Sequence, residues 1–181
     1  MPDEMYPAGL STVAHAVALI VAVACAVFDW RSRRIPNALT MPALAAGLLI
    51  HWFIGGWAGL SFSAKGLALG AGLLVIPYYL GGMGAGDVKL MGAMGALLGW
   101  RLALAALFYT AVAGGLLAVV TTLKARAFGR SLARSGSLLG VLLANKRLPS
   151  ADRLEGRSLT IPYAVPIALG TAAAILVKWP P

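Results

Sequence analysis

The 181-residue chain is 60% hydrophobic and only 12% charged, with a mean hydropathy of +0.83. That composition excludes an ordinary soluble domain and points to a polytopic membrane protein. The net charge of +9 reads as a topology signal rather than a nucleic-acid footprint, because the basic residues gather in particular loops.

Apolar segments at about 11–28, 39–54, 64–80, 88–100, 102–123 and 161–178 predict an all-α bundle of about six transmembrane helices, a single membrane-embedded domain over 1–181. Several fall short of the ~20 residues that cross a ~30 Å hydrocarbon core, so some ends must be recessed or extended by loops. The amino terminus carries Asp3 and Glu4 without Lys or Arg. It therefore lacks the positive start of a signal peptide, and the first span is expected to be retained. Cys25 is the only cysteine, which rules out an intramolecular disulfide or a cysteine zinc site. It lies one helical turn before Asp29 and reads as a small buried side chain.

The first span ends at Phe28-Asp29-Trp30, with Trp30 suited to the membrane interface. Ile35-Pro36-Asn37 starts the second helix, since proline cannot extend the preceding one and asparagine is a good cap. Gly55–Gly59 is a short external turn. Gly66 with Gly70, and Gly95 with Gly99, form small-xxx-small pairs that let helices approach closely. His15 and His51 lie too far along their helices to reach Asp29, and no metal site is expected.

Gly84-Ala85-Gly86-Asp87 opens the short apolar run Val88–Gly99, and Asp29 is the only other acid within or against an apolar span. A carboxylate there costs roughly 2.5–3.5 kcal/mol on insertion scales, so two of them call for a functional explanation. The fourth segment gives roughly 20 Å of helix, which would recess Asp87. The Gly81–Gly86 stretch would then be irregular backbone at membrane depth, tolerated only where protein or water reaches it. Gly84 and Gly86 are free to adopt positive φ and present bare backbone to a substrate chain.

Residues 124–160 form a long polar loop. Within it, Leu138–Leu143, flanked by basic residues, is expected as a helix on the cytoplasmic interface. The last span opens with Ile161-Pro162-Tyr163-Ala164-Val165-Pro166. Its prolines free nearby carbonyls, serving either a packing kink or a substrate. Twelve of the fifteen basic residues fall on one side if the spans alternate; Lys65, Arg101 and Lys178 fall on the other. The positive-inside rule puts both termini outside and both aspartates at the cytoplasmic face.

Two carboxylates with almost no other buried polar chemistry fit a hydrolase in which one acid is protonated, one ionised, and both share a water. No cofactor is needed. Lys89 either snorkels to the interface or holds a substrate carboxylate, and Arg34 and Asn37 are placed to orient the Asp29 loop. The rivals are a small proton-coupled transporter, since paired intramembrane carboxylates also mark ion pathways, and a membrane scaffold.

Three stretches carry a family resemblance: Asp29 with Arg34-Ile35-Pro36-Asn37, then Gly84-Ala85-Gly86-Asp87-Val88-Lys89-Leu90, then Ile161-Pro162-Tyr163 to Gly170. On these the chain resembles, over essentially its whole length, the prepilin leader peptidases, the GxGD class of membrane aspartyl proteases. The resemblance implies that Asp29 and Asp87 are the catalytic pair, and that short basic leaders are cleaved from pilin-like precursors at the cytoplasmic face of a bacterial inner membrane. Gly84, Gly86, Lys89, Arg34, Pro36, Asn37, Pro162 and Tyr163 become candidate supporting or substrate-loop residues. Larger members carry paired CxxC motifs that bind zinc and accompany amino-methylation. With one cysteine here, methyltransfer is not expected. The compact form looks like the minimal peptidases of tight-adherence (Flp-type) pili; preflagellin and signal-peptide-peptidase-like enzymes are the alternatives. Expected partners are the precursors and membrane lipids, including anionic headgroups that would offset charge repulsion between basic loops and a basic leader.

Overall fold

The computed structural model describes residues 8–80, 82–124 and 162–177; the interfacial helix expected at Leu138–Leu143 lies outside them. Every described element is helical: α1 is Ala8–Ser32, α2 Asn37–Tyr79, α3 Ala85–Lys124 and α4 Ala164–Leu176. The first three are long and apolar enough to cross a membrane, and α4 is a shorter apolar helix. The described residues up to Gly114, with those of α4, form one compact unit, and those from Gly115 onward belong to a second.

Straight helices of 43 and 40 residues would run ~60 Å, twice a bilayer core. Each is broken by a glycine in the positive-φ region, Gly56 (φ 53°, ψ −133°) in α2 and Gly99 (φ 74°, ψ 171°) in α3. The rings of His51 and Phe62 stand 5.6 Å apart, whereas a straight helix would separate those residues by ~16 Å. Trp52 meets Trp57 edge-on at 4.9 Å. The chain therefore turns back at Gly56, within the expected Gly55–Gly59 turn. A second reversal follows at Gly99. The Tyr163 phenol touches Gly114 and also feels the charge of Asp87, residues that a straight α3 would hold ~40 Å apart.

The first leg of α3 is the centre of its unit. Every residue from Leu90 to Gly99 is buried, the pattern of a helix enclosed on all sides. Glycines admit it between the two legs of α2. A Cβ at Gly47 would sit 2.7 Å from the Ala96 carbonyl carbon, one at Gly66 would strike the Gly95 carbonyl, and one at Gly70 the Met91 carbonyl. Ser63 Oγ adds a 2.7 Å hydrogen bond to the Ala96 carbonyl. The two small-residue pairs of the sequence thus pack against one another. The leg is short because protein, rather than lipid, encloses it.

α1 packs against α4 and α2. Its inward stripe is Ala14, Ala18, Ala22, Cys25 and Asp29, spaced at helical period so that one face of small side chains ends in the acid. The buried residues of α4 are Ala164, Pro166, Ile167, Gly170, Thr171 and Ala174, with Gly170 set against Ala106 and Thr110 of α3. Small residues at such contacts bring the backbones close. Three local expectations need correction. α3 begins at Ala85, so Ala85 and Gly86 are helical rather than part of an irregular Gly81–Gly86 stretch, and Asp87 lies in the first turn. Pro36, not Asn37, is the N-cap of α2, without a side-chain cap bond. The Pro162 carbonyl accepts the Val165 N–H at 3.3 Å and is not freed by Pro166.

These contacts predict a sharp contrast. Gly66→Leu or Gly95→Ala should destabilise the detergent-solubilised protein by ~1–3 kcal/mol, the scale of overpacking. Gly72→Ala, where nothing lies within 4 Å of the new Cβ, should be neutral or stabilising by up to ~1 kcal/mol through helix propensity. Thermal melts of the three variants check this.

Candidate active site

Asp29 stands in the last turns of α1 and is 7% exposed. Its Oδ2 accepts the Ala164 backbone N–H at 3.1 Å. Ala164 is the first residue of α4, so this N–H is one of the four that a helix start leaves without an internal partner. The Asp29 carboxyl oxygen supplies the acceptor that this N–H lacks. The Asp29 carbonyl in turn accepts the Arg33 N–H at 2.9 Å. Arg33 is the one described non-glycine residue at positive φ (54°), the left-handed turn that closes a helix end.

Asp87, 8% exposed, is the third residue of α3. Its Oδ2 accepts the Gly84 N–H at 3.1 Å, and its own N–H donates to the Gly84 carbonyl at 3.1 Å. This is half of a capping box, in which the third-position acid reaches back to the residue before the helix. Gly84 and Gly86 are not at positive φ; among described glycines only Gly56 and Gly99 are. Gly86 lies close against Ile35 instead, since a Cβ there would sit 3.1 Å from Ile35 Cβ and Ile35 would have to give by a few tenths of an ångström.

The two aspartates interact electrostatically, and Tyr163, next to the residue that holds Asp29, feels Asp87. The start of α4 thus contacts Asp29 directly and comes within electrostatic range of Asp87 at Tyr163. Lys89 Nζ donates to Asn37 Oδ1 at 3.1 Å and makes no described contact with Asp87. Arg34 is exposed, its carbonyl accepting the Ser32 hydroxyl at 3.4 Å. Cys25 is buried one turn below Asp29. His51 is buried at the far end of the first leg of α2, with Nδ1 2.8 Å from the Gly47 carbonyl. Among the described residues no three His, Cys, Asp or Glu side chains cluster as a metal site. A groove of about 400 Å³ opens between α1 and α4, lined by Val23, Ala26, Val27, Trp30, Arg31, Val165 and Ala168.

Sequence reasoning missed two participants. The Ala164 N–H is backbone, and only the proline-marked helix start betrays it. Ile35 reads as an ordinary apolar residue before a proline. Chemically, the assembly offers two buried carboxylates, each with one oxygen held by a backbone amide.

The model of the type IV leader peptidase family matches residues 16–119, a stretch holding both aspartates. The chain is 30% identical over 145 residues to a "Prepilin leader peptidase/N-methyltransferase" of Burkholderia pseudomallei (strain 1026b), covering 72% of this chain and 46% of the relative. Proteins of the same description from Bacillus subtilis (strain 168) and Aeromonas hydrophila are 32% and 35% identical. They cover 68% and 51% of this chain, and 47% and 34% of their own lengths. The chain thus spans about half or less of the curated relatives it matches. No solved structure matches it. With the family model covering more than half of its residues, the chain belongs to the type IV leader peptidase family.

Proposed function

We propose that the chain is an aspartyl endopeptidase that removes the short basic leader from prepilin-like precursors, with Asp29 and Asp87 as its catalytic dyad. The observation that carries this reading is the pair of buried carboxylates at one end of the bundle, each anchored by a helix-start N–H. In the proposed reaction one carboxyl, protonated, donates to the scissile carbonyl oxygen. The other, ionised, takes a proton from the shared water as it attacks. The tetrahedral intermediate collapses as the leaving amine gains a proton. The apolar surroundings make the site dry enough for these transfers to be strongly felt.

The breaks at Gly56 and Gly99 support six membrane crossings, with the halves of α2 and α3 as separate spans. Arg31, Arg33, Arg34 and Lys89 lie beside the aspartates in sequence, while Lys65 and Arg101 fall near the opposite turns. By the positive-inside rule this charge pattern supports a site at the cytoplasmic face of a bacterial inner membrane with both termini outside. A single cysteine within these 181 residues favours peptidase activity without methyltransfer, as in minimal tight-adherence pilus enzymes, with a preflagellin or signal-peptide-peptidase-like protease as the alternative. Anionic lipid headgroups at the basic loops would draw a basic leader that the loops alone repel. A transporter reading fits less well: both acids lie at one end, and no described acid continues a path beyond them.

Cleavage of a pilin-like precursor by purified protein in liposomes tests the dyad. Asp29→Asn and Asp87→Asn should each lower kcat by at least ~10²–10⁴-fold while the protein stays folded. Asparagine can still accept the Gly84 bond, so Asp87→Ala should melt lower than Asp87→Asn by ~1 kcal/mol, the worth of a cap. Cleavage persisting in either asparagine variant refutes the dyad, and proton flux without cleavage selects the transporter. Mass spectrometry of the mature product incubated with a methyl donor should find its new amino terminus unmethylated.

A further inference from the structure

The loop that leaves Asp29 is fastened to the helix that carries Asp87. Resting on the dyad reading, we propose that Ile35 and Asn37 are positioning residues: they dock this loop onto Gly86 and Lys89, either side of Asp87, and so set the separation of the two carboxylates.

The loop is a stiff arm. At its root the Arg33 N–H is held by the Asp29 carbonyl at 2.9 Å, with Arg33 in a left-handed turn. At its far end Pro36 is fixed at φ −66°, ψ 128°, and its carbonyl accepts the Leu39 N–H at 3.1 Å to start α2. Between these anchors Ile35 packs on the core and presses on Gly86. Its Cβ, Cγ1 and Cδ1 would lie 3.1, 3.5 and 3.6 Å from a Cβ placed there. One turn of α3 further on, Lys89 Nζ donates to Asn37 Oδ1 at 3.1 Å. Residues three apart share a helix face, so the two contacts grip one face of α3 at two points. Two points fix the orientation of the arm as well as its distance. The glycine before Asp87 is then needed because it lacks a Cβ, not because of its backbone angles. An alanine there requires Ile35 to give by a few tenths of an ångström, and under this proposal the arm carries that shift to Asp29.

Catalysis by carboxylates sharing one water is steep in their separation, where a misplacement of ~1 Å can cost ~10²-fold. The test measures kcat and KM on a pilin-like precursor, with pH profiles and melting temperatures, for Gly86→Ala, Ile35→Ala, their double variant, Asn37→Leu and Asn37→Asp. Gly86→Ala should lower kcat by ~10-fold or more, with KM changed less than about twofold, the signature of lost transition-state alignment. The spacing of the two limbs of its pH profile should change, because that spacing reports coupling within the pair. The double variant keeps a Cβ at position 35, the atom that meets the new Cβ most closely, so kcat and the profile should stay impaired. Ile35→Ala alone, which only loosens the dock on Gly86, should lower kcat by a smaller factor. Asn37→Leu should lower kcat, whereas Asn37→Asp, which keeps an acceptor for Lys89, should not.

A folded Gly86→Ala enzyme with wild-type kcat and pH profile overturns the proposal, as does Asn37→Asp matching Asn37→Leu. Losses confined to KM also overturn it, by making these residues substrate contacts. The dyad stands or falls separately on Asp29→Asn and Asp87→Asn, so failure here with those two inactive rejects the clasp and leaves the dyad intact.

Discussion

A carboxylate inside an apolar bundle persists only where fixed donors replace the water it has lost. In this chain the donor in both cases is a backbone N–H at a helix start: Ala164 for Asp29 and Gly84 for Asp87. The helix start needs an acceptor as much as the acid needs a donor, so each bond removes two unsatisfied groups at once. Much of the architecture follows from this requirement. The end of α1 must meet the beginning of α4, although 135 positions separate Asp29 from Ala164. α1 and α4 pack on one another to allow that meeting, and the buried side of α1 is made of the small residues Ala14, Ala18, Ala22 and Cys25.

The same economy of side chains governs the centre. In an apolar solvent there is little hydrophobic gain in bringing helices together, so close packing of backbone on backbone has to supply the association. Gly47, Gly66 and Gly70 supply it by letting α2 close around the first leg of α3 until carbonyls lie where methyl groups would be. An enclosed helix is released from the length that lipid imposes on an exposed one. It can begin at Ala85 and break at Gly99, with Asp87 in its first turn.

Much of this was legible in the sequence. The turn at Gly55–Gly59, the close approach of helices at the Gly66/Gly70 and Gly95/Gly99 pairs and the burial of Cys25 all follow from residue type and spacing, which are properties of side chains. What stayed hidden belongs to the backbone or to tertiary fit. The Ala164 N–H carries no side-chain signature. Asn37 is a good capping residue by propensity, yet its amide oxygen accepts from Lys89 and the cap position falls to Pro36. Tertiary context overrode a local preference there. Gly84 and Gly86 invited a conformational explanation, whereas Gly86 answers to a steric one, visible only once Ile35 is seen against it.

The amide anchors also bear on where a shared proton can sit. A backbone N–H donates at any pH and cannot accept. The oxygen it faces is therefore best kept as the acceptor, whether its carboxyl is charged or neutral. Both anchors fall on Oδ2. Under the dyad reading the mobile proton, whichever acid carries it, is thereby directed to Oδ1. That oxygen makes no hydrogen bond to described protein groups on either residue. Each anchor thus fixes the rotation of its carboxyl and leaves one oxygen for water and substrate. Asp87 can consequently cap α3 and serve in hydrolysis without conflict, because the two tasks use different oxygens.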